Sequence, residues 1–186
     1  MIGFAMTGSH CTLSLALSEM EKLVAQGCEL QPIMSDSVYS TDTRFFEAQH
    51  LRDRVESICG RKIIHTVRDA EPLGPARPME YLIIAPTTGN TLAKLANGIT
   101  DTAVTMAAKA HLRCDRPLLL ALASNDAASQ NLANLARVIT RRSLYLVPMK
   151  QDDPERKPHS LVADFERFGE CFDAMKRGEQ IRPLFV

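Results

Sequence analysis

Four times along this chain a short apolar run ends in a cluster of hydroxyl and amide side chains, and helical apolar spacing follows. The runs are residues 2–6 (IGFAM), 29–34 (ELQPIM), 82–85 (LIIA) and 117–123 (PLLLALA), ending in Thr7-Gly8-Ser9, Ser35-Asp36-Ser37, residues 86–91 and Ser124-Asn125-Asp126. Runs this short, rich in leucine and β-branched residues, suit strands buried on both faces. Helices between such strands imply a parallel sheet covered on both sides, with right-handed crossovers. The fold expected is therefore α/β, a doubly wound, Rossmann-like sheet of about six strands in the order 3-2-1-4-5-6.

Residues 81–101, YLIIAPTTGNTLAKLANGITD, carry the pattern most clearly. Pro86 lacks an N–H and is expected to halt the strand, while Leu92, Leu95, Ala96 and Ile99 mark one face of the helix that follows. Elsewhere, Leu13, Leu17, Met20 and Leu23 line a helix ended by Gly27, and residues 44–59 place Phe45, Leu51, Val55 and Ile58 on a buried side. Residues 62–67 are expected as the third strand, and the proline-rich stretch 68–78 as a long irregular connection serving as a lid, an interface arm or a plain loop. A small-residue helix over 102–112 follows Asp101 as N-cap, and another helix carries Leu132, Leu135, Val138 and Ile139. A final strand over 143–149, a charged loop over 150–158 and a last helix over 161–177 complete the reading. At 186 residues the chain suits one domain, residues 1–186, burying roughly 70% of its unfolded surface.

Lysines and arginines balance acids at a formal charge of zero, with the charges interspersed, so no basic footprint for nucleic acid or an anionic membrane exists. The five cysteines are scattered, odd in number and without a CxxC spacing, which argues against a disulfide framework or a zinc site and fits a reducing cytoplasm. No apolar stretch approaches the roughly 18 residues of a membrane span.

In a sheet of this order the first and fourth strands lie side by side where the winding reverses, and their C-terminal turns open a crevice. Four polar turns then share one sheet edge. After the first strand Gly8 is followed by Ser9, His10 and Cys11, so the GxGxxG of a dinucleotide site is missing, and no GxxxxGK[ST] occurs anywhere. A mononucleotide phosphate asks less: a few N–H groups and the hydroxyls of Ser9, Ser35 and Ser37 suffice.

These turns carry a resemblance. TGS after the first strand, the serine turn after the second, IIAPTTGNTLAKLANGITD and PLLLALASND resemble the homo-oligomeric, flavin mononucleotide (FMN)-dependent cysteine decarboxylases, whose signature loop is close to PASANT. The resemblance implies a flavodoxin-type fold and FMN contacts from Gly8, Ser9, Ser35, Ser37, Thr87, Thr88, Asn90 and Ser124. Asn125 falls where the family has the asparagine of a substrate segment. The chain departs from the family at two places: Pro72 stands where the decarboxylases carry a catalytic histidine, and Gln151-Asp152-Asp153 where they carry a cysteine-bearing flap. The branch of the family that also shares QDDPERKPHSLVADF implies instead oxidation of a dihydropyridine-type dicarboxylate to an aromatic pyridine dicarboxylate in spore formation, with a partner A subunit. The same resemblance implies a homo-trimer or a multiple of it, in which the tail 184–186 and the helix 102–112 are candidate interface elements.

Charge alone nominates Arg156, Lys157 and His159 to grip the two carboxylates. His10 and Asn125 are the candidate catalytic side chains, against an ordinary solvated or capping role for a histidine at a helix start. Three other classes remain: a flavin decarboxylase using His65 or His10, a dinucleotide-dependent dehydrogenase using Asp36 on a ribose, and a non-catalytic flavin-binding partner of the A subunit.

Overall fold

The computed structural model describes residues 1–186 as an α/β sandwich. The chain runs through β1 (Ile2–Met6), α1 (Leu13–Ala25), β2 (Leu30–Met34), α2 (Asp36–Ser40), α3 (Ala48–Cys59), α4 (Val67–Ala70), β3 (Tyr81–Thr87) and α5 (Gly89–Asn97). It continues through α6 (Ala103–Leu112), β4 (Leu118–Ser124), α7 (Leu132–Ile139), β5 (Leu144–Leu146), β6 (Met149–Lys150), β7 (Leu161–Ala163) and α8 (Phe168–Lys176). Strands β2, β1, β3, β4 and β5 lie side by side, all parallel. No helix is long and apolar enough to cross a membrane.

The two-residue period of the strands divides the core. Phe4, Met6, Ile83, Ala85, Leu119 and Ala121 face α1, α3 and α8, while Ala5, Leu82, Ile84, Leu118, Leu120 and Leu122 face α5, α6 and α7. Both layers are built of buried apolar side chains, and β4 is buried along its whole length. The expected doubly wound arrangement is thus present, with its central pair β1 and β3 in register from Ile2↔Tyr81 to Ala5↔Ile84.

Several local expectations are corrected. Pro86 does not stop its strand: the β3 register slips between Ile84 and Thr87 against Leu120 and Leu122, and this bulge accommodates the residue without an N–H. The third strand shrinks to one bridge, Ile33↔Ile64, because Thr66 Oγ1 accepts the Asp69 N–H and starts α4 at once. Residues 68–78 form no lid. Helical turns there pack on α6, Leu73 is buried, and Gly74 meets the Ala110 carbonyl so closely that a Cβ would lie 2.7 Å from its oxygen.

Phe45 is 45% exposed and precedes α3, since Thr43 Oγ1 takes the N–H groups of Phe45 and Phe46 and Asp42 takes that of Ala48. Ile99 is also exposed. Gly98 ends α5 at φ +73°, a left-handed conformation that turns the chain away from the helix. The expected final strand breaks at Val147-Pro148 into β5 and β6. The expected last helix starts late because Leu161 and Val162 instead pair antiparallel with Ser124 and Ala123.

Candidate functional site

The carboxyl ends of β1 and β3 are tied together by one buried threonine. Thr7 donates its N–H (3.2 Å) and its hydroxyl (2.8 Å) to the Pro86 carbonyl, and Thr7 Oγ1 accepts the Thr88 N–H at 2.9 Å. Strand β2 joins the same edge, since the Ser35 N–H donates to the Met6 carbonyl at 3.1 Å, and the Ser35 and Ser37 hydroxyls lie 3.1 Å apart. Gly8 fits between these turns. A Cβ there would sit 2.9 Å from Ser37 Oγ.

Two adjoining hollows, of about 660 and about 360 Å³, open along this edge and share Gly8, Thr88 and Asn90. Both fall in the size range of small-molecule sites, about 300–1,000 Å³. No hydrophobic residue lines the smaller, which collects hydroxyls from Ser35, Ser37, Thr91 and Thr102 beside Asp36, with Lys94 held by Asp101 at 2.8 Å. It also meets the start of α5. The first N–H groups of a helix have no intrahelical acceptor, and Thr88 Oγ1 takes only that of Thr91, so those of Gly89 and Asn90 stay at the cleft. Such a set suits the oxygens of a phosphate ester.

The larger hollow mixes surfaces. Phe45, Ala123 and Val162 offer apolar walls beside His10, Cys11, Ser124 and Asn125. On one side Asp126 accepts from Ser124 Oγ and, through both carboxylate oxygens at 3.0 Å, from Asn131 Nδ2. The Ser124 hydroxyl, seconded by Asn131, holds the Asp126 carboxyl below its ordinary pKa. Gly89 is the residue that lets α5 approach this group, because a Cβ would lie 2.4 Å from Ser124 Oγ and 2.8 Å from Asp126 Oδ1. On the outer side Lys157 and Asp152 form an ion pair at 2.8 Å, which raises the lysine's pKa and lowers the carboxyl's.

Among the residues expected from sequence, Gly8, Ser9, His10, Thr88, Asn90, Ser124, Asn125 and Lys157 line the larger hollow, and Ser35 and Ser37 line the smaller. Thr87 is a correction. The β3 bulge turns its side chain into the core, where Oγ1 donates to the Ile84 carbonyl at 2.7 Å. Arg156 and His159 are exposed and line neither hollow, since their loop turns them outward with Lys157 facing in. Arg44, Phe45, Asp126 and Asp152 line the cleft without having been expected there. Asp126 ends the Ser124-Asn125-Asp126 turn and was within reach of the pattern, whereas Arg44 was masked by the helix reading of residues 44–59.

A family model described as Flavoprotein matches residues 1–164. Over 185 residues the chain is 40% identical to the B subunit of dipicolinate synthase from Bacillus subtilis (strain 168), a match spanning 100% of this chain and 92% of that one. The crystal structure of the dipicolinate synthase B subunit from Bacillus halodurans C superimposes with a TM-score of 0.90 at 39% identity, covering 100% of this chain and 95% of the other. A dodecameric FMN-dependent Ubix-like decarboxylase from Escherichia coli O157:H7 shares the fold at a TM-score of 0.66 and 20% identity, over 82% of each chain.

Proposed function

The chain belongs to the Flavoprotein family, and on that footing we propose that it binds FMN along the carboxyl edge of its sheet and acts as the flavoprotein subunit of a dipicolinate synthase. The reaction proposed is aromatisation of a dihydrodipicolinate-type dicarboxylate to dipicolinate during spore formation, with a partner A subunit in the cytoplasm. One observation carries the reading: a hollow lined by hydroxyls and no hydrophobic residue adjoins a larger hollow with apolar walls, the two meeting at Gly8, Thr88 and Asn90 beside the Thr7 tie between β1 and β3.

In this reading Ser35, Ser37 and the first N–H groups of α5 hold the phosphate, with Gly8 and Ser9 beside it. Asn90, Thr88 and Ser124 border the passage to the ring, and Ala123 and Val162 give it apolar contact. When bound, the flavin supplies a two-electron acceptor, so a dihydropyridine ring losing a hydride and a proton becomes a pyridine. The protein's part is to hold the planar substrate and keep water from the pair. In this reading Asn125, which lines the larger hollow, donates to substrate, and His10, on the same lining, takes up the proton.

For the decarboxylase reading, Pro72 lies in a turn packed on α6 and His65 stacks on Tyr39 at 3.7 Å, so neither enters the cleft, and His10 is the histidine left to serve it. The assembly proposed is a homo-trimer or a multiple of it. Leu15, Leu132, Phe185 and Val186 each leave about half their surface exposed, which favours burial against further copies.

The test adds FMN to purified protein and records the spectrum and stoichiometry, then measures dipicolinate formation by the A subunit with and without this chain. Saturable uptake of one flavin per chain and turnover that depends on it are expected. Tighter binding of NADP than of FMN favours a dehydrogenase, and full turnover by the A subunit alone reduces this chain to a non-catalytic partner.

A further inference from the structure

We propose that Arg44 selects the carboxylate-bearing substrate in the larger hollow, its guanidinium taking one carboxylate while Phe45 lies against the substrate's ring. The inference rests on the function proposed above, for which it names the gripping residue. Four arguments lead to it.

The cations at the cleft differ in commitment. Lys157 is paired with Asp152 and Lys94 with Asp101, whereas Arg44 makes neither an ion pair nor a hydrogen bond. Its guanidinium carbon instead lies 4.8 Å from the centre of the Phe45 ring. A guanidinium resting on an aromatic ring keeps its N–H fork free, and the fork matches a carboxylate in two parallel bonds. Of the acids lining the same hollow, Asp152 is matched by Lys157, while Asp126 keeps its charge under the hydrogen bonds of Ser124 and Asn131, so Arg44 is the cation left unpaired there for an incoming carboxylate.

The segment that carries Arg44 is built rather than loose. Thr43 N–H donates to the Phe46 carbonyl at 2.9 Å, Thr43 Oγ1 accepts two N–H groups, and Asp42 accepts the Ala48 N–H at 2.8 Å. Ordering this backbone on binding therefore costs little. Topology supplies the last argument: Arg44 lies on the segment that follows β2 and α2, and Lys157 on the loop between β6 and β7, and these segments from opposite ends of the strand order both line the one hollow.

The experiment titrates FMN-loaded protein with pyridine-2,6-dicarboxylate and with pyridine, following the flavin spectrum, for Arg44→Ala, Arg44→Lys, Phe45→Leu and Lys157→Ala. Expected for Arg44→Ala are an FMN affinity within about twofold of the parent and a loss of dicarboxylate affinity of about tenfold or more. Arg44→Lys recovers part of it, and Lys157→Ala loses less than Arg44→Ala. An Arg44→Ala affinity for the dicarboxylate within twofold of the parent overturns the proposal, as does a larger loss in Lys157→Ala, an equal loss for pyridine, or a matching loss of FMN. If the parent protein takes up no flavin, the proposed function fails separately. Calorimetric titration of the flavin-free protein with the dicarboxylate then judges Arg44 by the same comparison.

Discussion

Thr7 and Pro86, 79 residues apart in sequence, are joined by two hydrogen bonds to one carbonyl, and Thr7 then accepts the N–H of Thr88. A single side chain thereby sets the distance between the two turns that floor the cleft. Replacing it by valine keeps the shape and removes the hydroxyl, leaving the Thr88 N–H unpaired. Thr7→Val is expected to lower stability by about 1–3 kcal/mol and to weaken FMN binding, with Thr7→Ser retaining most of both. Denaturant titration and flavin titration of the three proteins check it.

Gly89 and Gly169 form an opposed pair. Both are helical, yet a Cβ at Gly89 would collide with Ser124, Asn131 and Asp126, and one at Gly169 would meet nothing within 4 Å. Gly89→Ala should cost about 1–3 kcal/mol by overpacking, and Gly169→Ala should gain a few tenths to about 1 kcal/mol through helix propensity. Thermal melts of the two variants moving in opposite directions would bear this out.

His111 is wholly buried, with Nε2 2.8 Å from the Pro117 carbonyl and Nδ1 without a partner. Burial pushes its pKa down, and Arg116 adds to the effect. The unfolded chain therefore takes up the proton first, so stability falls as pH drops below about 6.5 and levels off below the folded-state value. His111→Gln, which does not titrate, should flatten the stability profile between about pH 7.5 and 5.5. An unchanged slope in equilibrium unfolding would refute the assignment.

Asp152 neutralises the one lysine that faces the larger hollow. Asp152→Asn removes that opposing charge and should tighten pyridine-2,6-dicarboxylate binding about two- to fivefold at low salt, because the pair is partly exposed and screened. The gain should shrink as salt rises, which the same titration measures.

The central fold could be read from the letters because each strand is a short dry run ending in hydroxyls, and the two-residue alternation of Phe4, Ala5 and Met6 or Ile83 and Ile84 leaves little freedom. The polar turns at Gly8, Ser35, Thr88 and Ser124 followed from strand order alone. What local pattern did not reveal were effects that depend on pairing partners. Thr87 turned inward because of a register slip against β4, and Leu161 became a strand because Ser124 offered it an edge. Phe45 fitted a helical face by spacing, yet the Thr43 and Asp42 side chains hold it outside that helix. Arg44 went unnoticed for the same reason: its role depends on which other cations are already matched, a property of three dimensions.

The excursion that carries Lys157 leaves and re-enters the sheet at one place, Met149 pairing with Ala163 and Lys150 with Val162. Its ends are clamped by that short antiparallel ladder, which leans on the same β4 that delivers Ser124. Between those ends the loop is pinned once more, the His159 carbonyl accepting the Ala128 N–H at 2.9 Å beside the buried Ser160. The rim of the larger hollow that Asp152 and Lys157 supply is thereby anchored to the same strand as the turn on its opposite wall.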